Sequence, residues 1–334
     1  MSSLQEVAAL AGVSTASVSR ALNLPDKVAP QTRARIARAA ARLGYVPNMA
    51  ARMLAGQRSR TVAAVVPTMQ NNIFARGLEA IGARLDASGY TMLLGATDYD
   101  PERELHLTRT FIARGVDAMI FMGASHLPAT YAALAAAGLP FVNQGVYEPA
   151  SRHPSVGFDN RAAARLAVRH LLELGHRRVA MLAGIAAHND RAGARIAGLR
   201  AALAEAEVEP PPVVERPYTV AGGRAGLVAL LRRRPRPTAI VCGNDILAFG
   251  ALFEALDRGL AVPADLSIIG FDDLELCANL RPSLSSIAIE TAEMGTRAAE
   301  YVLRRLEGEQ PLHATAIRFC LRARQSTAPP GSGG

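Results

Sequence analysis

The sequence predicts an α/β fold in which a helix-turn-helix head precedes two doubly wound parallel-sheet subdomains that face a cleft. Three observations carry this expectation. Short helical stripes crowd the stretch from Leu4 to Leu43. Beyond Thr61, strand-length apolar runs alternate with helix-length stretches. Charge is also unevenly divided: the 334 residues carry a net charge of +8, and residues 1–60 hold nine basic side chains against Glu6 and Asp26 alone. A basic head on a nearly neutral body points to a polyanionic partner for the head.

In the head, Leu4, Val7, Ala8 and Ala11 share one helical face, Val18, Ala21 and Leu22 a second, and Ile36, Ala40 and Leu43 a third. Gly12 permits a sharp turn between the first two helices, and Ser14 is placed to cap the second by accepting a backbone N–H. Two helices joined this way form a helix-turn-helix unit. A third helix is expected from Pro30, whose fixed φ suits a first helical position, to Gly44. On the second helix Thr15, Ala16, Ser19 and Arg20 face outward. Small side chains let the backbone approach base edges in a major groove, and Arg20 can reach guanine or phosphate. A protein-binding three-helix domain is the alternative, and the charge favours DNA.

The segment from Pro47 to Gly56 holds good helix formers but spans only about two turns, too short to be stable alone because nucleation is costly. Met53 and Leu54 would be wasted in a solvent-exposed linker. A wedge into a minor groove would employ them, with Arg52 on the backbone; packing on the protein's own body is the competing expectation.

In the body, strands are expected at Val62–Val66, Thr91–Leu94, Ala118–Met122, Phe141–Val142, Val179–Leu182, Ala239–Cys242 and Leu266–Ile269. Helices are expected at Ala75–Ser88, Glu102–Arg114, Asn160–Leu174, Asp190–Ala206 and Thr291–Leu306. Such alternation builds right-handed βαβ units around parallel sheets. In open sheets of this kind, ligands bind at the carboxyl ends of strands. Asn244 and Asp245, then Phe271, Asp272 and Asp273, follow strand patterns there, as do Asp159 and Asn160. Asn and Asp also serve turns and helix caps, so each position alone is ambiguous. Arg191 and Arg195 lie one helical turn apart and can point the same way. Paired guanidiniums suit a carboxylate or phosphate, whereas Arg191 paired with Asp190 is the plainer expectation. Phe74, Phe158 and Tyr218 are candidates to stack on a sugar face.

Several classes are disfavoured. No apolar run reaches the roughly 18 residues of a membrane span, and the N-terminus lacks the basic-then-apolar order of a signal peptide. Cys242, Cys277 and Cys320 are scattered and odd in number, which suggests reduced thiols and a cytoplasmic location. No dinucleotide fingerprint, phosphate loop or nucleophile elbow is present, and the seven histidines form no metal pattern. No enzyme activity, cofactor or metal is expected. Ser125-His126 reads as a loop pair rather than a nucleophile and base.

The run Leu4-Gln5-Glu6-Val7-Ala8-Ala9-Leu10-Ala11-Gly12-Val13-Ser14, continuing through Ser17-Val18-Ser19-Arg20-Ala21-Leu22-Asn23, resembles the DNA-reading head of the lactose/galactose-repressor (LacI/GalR) family of bacterial transcription regulators. Gly44-Tyr45-Val46-Pro47-Asn48 and Leu54-Ala55-Gly56 resemble its hinge. Gly175-His176-Arg177-Arg178, Gly243-Asn244-Asp245 and Gly270-Phe271-Asp272-Asp273 extend the likeness over nearly the whole chain. The resemblance implies a homodimer that reads a near-palindromic operator. It implies DNA contacts at Ser14, Thr15, Ala16, Ser19, Arg20, Asn23, Tyr45, Asn48, Arg52 and Leu54, with Leu54 inserted in the minor groove. In the cleft it implies effector contacts at Arg195, Asn244 and Asp272, to which Phe74, Phe158, Arg191 and Tyr218 add as candidates.

The expected domains are 1–46 for the head, 47–60 for a hinge helix and linker, and 61–328 for effector binding and dimerisation, the last divided near 158 and 289. A disordered Pro/Gly/Ser-rich tail is expected over 329–334, its character beginning at Ser326. Ala29 stands where the family pattern has a Ser or Thr cap. Asn143-Gln144 stands where many members carry Asp. With the arginine pair, Asn143-Gln144 and the absence of tryptophan, with Tyr218 where some members place an aromatic platform, favour a sugar acid such as gluconate, or a sugar phosphate, over a plain hexose. The alternative is a periplasmic-type sugar-binding protein, whose body would share the periplasmic-binding-protein-like plan, but it calls for an export signal and no basic head.

Overall fold

The structure, a computed structural model, describes residues 2–23, 25–45, 58–69, 73–209 and 211–331. The chain divides into two compact units, Met1–Ser59 and Arg60–Gly334.

The first unit contains helices Leu4–Ala11, Thr15–Asn23 and Pro30–Leu43, with a 3₁₀ turn at Pro25–Lys27. The predicted stripes meet in one core built on Val7, Val18 and Ile36. Ser3 and Glu6 form a reciprocal capping box at the first helix, which satisfies two otherwise orphaned N–H groups. That helix ends at Gly12 with φ +64°, and the Arg35 guanidinium donates to Ala11 O at 2.5 Å and Gly12 O at 3.1 Å. Arg35 therefore serves the fold by capping a helix C-terminus. Ala29 makes no side-chain cap at Pro30–Leu43.

The second unit contains two six-stranded sheets. The strands are β1 Thr61–Val66, β2 Thr91–Ala96, β3 Ala118–Met122, β4 Phe141–Gln144, β5 Ser155–Gly157, β6 Val179–Gly184, β7 Val213–Arg216, β8 Ala239–Cys242, β9 Ser267–Asp272, β10 Ser285–Ile289, β11 Ala314–Ala316 and β12 Phe319–Arg322. The first sheet runs β11-β5-β4-β3-β1-β2, all parallel. The second runs β12-β10-β9-β8-β6-β7, parallel except for β12 at its edge. The chain passes to the second sheet after β5, returns after β10, and crosses once more between β11 and β12. This last crossing was not among the expectations, because β11 and β12 are short and half-exposed and carry no clear apolar alternation.

Helix Thr291–Leu306 packs on helix Ala75–Asp86 at close quarters. A Cβ on Gly295 would lie 2.2 Å from Gly77 O and 3.2 Å from the Ala80 Cβ, so only glycine allows the two backbones to approach this closely.

The disordered-tail expectation needs correction at its start. Ser326 is fully buried; its N–H donates to Ser283 O at 2.9 Å, and its Oγ donates to Ile268 O at 2.6 Å. Ala328 O accepts from His176 Nε2 at 2.9 Å, and Pro330 lies near Gly175. Composition suggested a loose end; backbone groups at the start of β9 and β10 needed partners, and the tail supplies them. Residues 332–334 lie outside the described residues.

Candidate functional site

In the head, Ser14 accepts the Ser17 N–H at 3.2 Å, so its hydroxyl caps the second helix. Thr15, Ala16 and Arg20 are exposed, Ser19 is half-buried and Val18 is buried; the outward face is the one the helical spacing predicts. Tyr45 is half-buried against the head core, which leaves its ring less free than Arg20. Asn23 closes the second helix. Asn48, Arg52 and Leu54 lie outside the described residues, as does most of the expected hinge.

In the second unit, a cleft opens at the carboxyl ends of the strands. All seven effector candidates line it: Phe74 after β1, Phe158 after β5, Arg191 and Arg195 on helix Asp190–Glu205, Tyr218 after β7, Asn244 after β8 and Asp272 at the end of β9. A doubly wound plan converges them because successive strands end on the same side.

Arg195 is the organising residue. It is 7% exposed; its Nε donates to Asn160 Oδ1 at 2.9 Å, its NH1 donates to Gly243 O at 2.5 Å, and its guanidinium carbon sits 3.7 Å from the Phe271 ring centroid. Asn160 Nδ2 in turn donates to Gly145 O, just beyond β4, at 2.9 Å. A buried relay thus joins the helix after β6 to the end of the first sheet.

Arg191 lies 3.2 Å from Asp190 Oδ1, so the plainer expectation of an Asp190 partner is realised while Arg191 still lines the cleft. Asp190 Oδ2 accepts the Ala124 N–H at 2.6 Å, a second link across the cleft.

Asn244 caps helix Asp245–Asp257 by accepting the Leu247 N–H at 2.9 Å. Among the described residues, its Nδ2 and the Oδ2 of Asp272 are buried with no hydrogen-bond partner. Buried polar atoms without partners are uncommon, and two lining one cleft offer a donor and a carboxyl oxygen for a ligand. Burial raises the Asp272 carboxyl to about 7, with Arg195 pulling it down and Asp245 pushing it up. Burial also raises Tyr99, to about 12, and Tyr218, so both remain neutral phenols. The Tyr218 ring lies over the end of β6, where a Cβ on Gly184 would come within 2.0 Å of it.

Tyr99, Asn189 and Thr291, not among the expected contacts, also line the cleft, as does Gln144 of the Asn143-Gln144 pair. Tyr99 follows β2 and Gln144 ends β4, so the strand-end rule could have found both. Of the Asn143-Gln144 pair, Gln144 reaches the cleft, whereas Asn143 donates to the Tyr131 hydroxyl at 3.2 Å. Cys242 and Cys277 are buried and Cys320 is exposed, all as free thiols. No cluster of three metal-binding side chains occurs among the described residues, and none of their helices is long and apolar enough to cross a membrane.

Residues 3–48 match the family described as bacterial regulatory proteins, lacI family, and residues 168–327 match the periplasmic binding protein-like domain. The HTH-type transcriptional regulator GntR of Pseudomonas aeruginosa is 37% identical over 328 residues, covering 97% of this chain and 95% of that protein. The lac repressor dimer bound to operator and the anti-inducer ONPF superposes with a TM-score of 0.85 at 26% identity, covering 98% of this chain and 99% of that one. The transcriptional regulator CelR in complex with cellobiose superposes with a TM-score of 0.73 at 29% identity, covering 98% and 100%.

Proposed function

The chain belongs to the lacI family of bacterial regulatory proteins, and from that premise we propose that it is a cytoplasmic, homodimeric transcriptional repressor whose grip on a near-palindromic operator is set by a carbohydrate-type effector in the cleft. Thr15, Ala16 and Arg20 read the major groove, Ser14, Ser19, Asn23 and Tyr45 support that contact, and Asn48, Arg52 and Leu54 act from the hinge. Two heads on one duplex follow the two-fold logic of helix-turn-helix dimers, and the operator-bound lac repressor dimer is a precedent for this assembly.

The single observation that carries the effector reading is the pair of unpartnered polar atoms, Asn244 Nδ2 and Asp272 Oδ2, beside a buried arginine. The N-cap residues of helices Asp190–Glu205 and Asp245–Asp257, Asn189 and Asn244, also line the cleft, and the partial positive charge of helix N-termini favours an anion. Together with Arg191 and Arg195, this supports a sugar acid of the gluconate type. Amide and carboxyl groups suit its hydroxyls, and Phe74, Phe158 and Tyr218 its carbon skeleton. The cellobiose complex of CelR supports a carbohydrate as the class of effector.

Effector and DNA are coupled as two states. A ligand that favours one arrangement of the two sheets changes the spacing of the paired hinges, and hinges held together fold on DNA. A ligand binding both states equally shifts nothing. Isothermal titration with gluconate, glucose and a sugar phosphate tests the ligand class, and a gel shift with DNA upstream of the chain's own gene tests the repressor role. Tight binding of glucose with no response to gluconate overturns the acid, and failure to shift any such DNA overturns the regulator.

A further inference from the structure

Asp245 adjoins the cleft without lining it. It is fully buried at the first position of helix Asp245–Asp257, yet that helix is already capped by Asn244. Its carboxylate serves a different element. Oδ2 accepts the Leu274 N–H at 2.8 Å, and Oδ1 accepts the Ser286 hydroxyl at 2.7 Å. Ser286 Oγ in turn accepts the Asp273 N–H at 3.1 Å. Two successive amides of the turn after β9 are therefore held by one buried carboxyl and its hydroxyl partner.

That turn needs holding. Asp272 has φ +104° and Asp273 φ +55°, a left-handed path that non-glycine residues avoid and that persists only where surrounding contacts impose it. Arg324 secures the far side through Asp273 Oδ1 at 2.7 Å. The space for Asp245 is reserved: a Cβ on Gly270 would fall 2.1 Å from its Oδ1. A buried carboxyl is costly unless its hydrogen bonds are made, and here each oxygen has a specific donor from the strands and turn bearing Asp272.

We propose that Asp245 is the positioning residue for Asp272, holding the Asp272–Leu274 turn so that the Asp272 carboxyl faces the effector. The proposal rests on Asp272 being an effector contact. Asp245 also acts through charge. The groups around it are Asp272 and Asp273 on the turn, Cys242 on β8, Cys277 on the short helix Leu276–Asn279 and Arg324 beyond β12. Those around Asp272 are Arg195, Arg191 and Asp245. Asp245 is the nearby charge that pushes Asp272 toward its protonated form, which tolerates an anionic ligand.

The test is carried out on the full chain with carbon-13 carboxyl-labelled aspartate, the Asp272 signal being assigned by its loss in D272N, and with gluconate as the titration probe. In D245N the amide keeps an acceptor for Leu274 while the charge is gone, so the Asp272 midpoint moves to lower pH and gluconate affinity begins to fall at lower pH. In S286A, which loses the hydroxyl link, gluconate affinity falls roughly ten-fold at unchanged fold by circular dichroism. An Asp272 midpoint unmoved in D245N, or full gluconate affinity in S286A, overturns the proposal. If wild type binds no gluconate, the effector reading fails instead, and the carboxyl titration still decides the Asp245–Asp272 link.

Discussion

Arg195 and Asn160 are joined by a buried 2.9 Å hydrogen bond from Nε to Oδ1, and Asn160 passes that constraint to Gly145 O at the end of β4. One arginine thus touches the cleft, stacks on Phe271 and braces one sheet against the other. Replacing it with lysine keeps the charge but loses the planar donor array and the stacking. R195K is expected to weaken gluconate binding by at least about ten-fold, since removing one partner strands a buried acceptor at a cost of about 1–3 kcal/mol. The check is isothermal titration, with circular dichroism to confirm folding.

Asp272 gives the protein a pH signature. Its folded value, about 7, lies above that of an exposed carboxyl, so the unfolded chain ionises first. Stability is therefore unpenalised below the unfolded value near 4 and declines as pH rises toward 7. D272N removes this penalty. It is expected to raise the melting temperature at pH 8 relative to wild type and to make little difference at pH 4, as read by scanning calorimetry. The same variant should lose the pH dependence of gluconate binding.

The Gly77–Gly295 contact sets the distance between two helices. G295A places a methyl 2.2 Å from a backbone oxygen, and overpacking of this kind costs about 1–3 kcal/mol. Urea unfolding should show stability reduced by that amount, read as a lower midpoint at unchanged slope.

The C-terminal segment is structural up to Ala328. Deleting residues 326–334 removes the partners of the Ile268 N–H and carbonyl, the Ser283 carbonyl and the Ser285 N–H, and one of those of His176, and is expected to lower the melting temperature by on the order of 5 °C or more.

Much of this arrangement was legible in the residues. The head's stripes, the Gly12 turn and the Ser14 cap follow from local spacing, and strand-end positions led to Asn244, Asp272 and Asn160. What escaped is non-local. β10 begins with Ser285-Ser286, buried serines whose hydroxyls are satisfied by Thr327 and Asp245, and no periodicity announces a strand whose polar groups are paired from far along the chain. Tyr99 joins the cleft through a left-handed turn after β2, with φ +63°, which its own sequence does not mark. Asp245 has the sequence context of a turn residue, and its partners Leu274 and Ser286 lie 29 and 41 residues further along the chain.

In the proposed coupling, a ligand in the cleft governs DNA affinity through the segment Pro47–Gly56. Fluorescence anisotropy with a labelled operator tests it most directly, comparing wild type with a chain whose residues 47–56 are replaced by glycine and serine. The account predicts that the replaced chain still binds gluconate but loses operator affinity and its response to gluconate. Undiminished operator affinity in the replaced chain would contradict it.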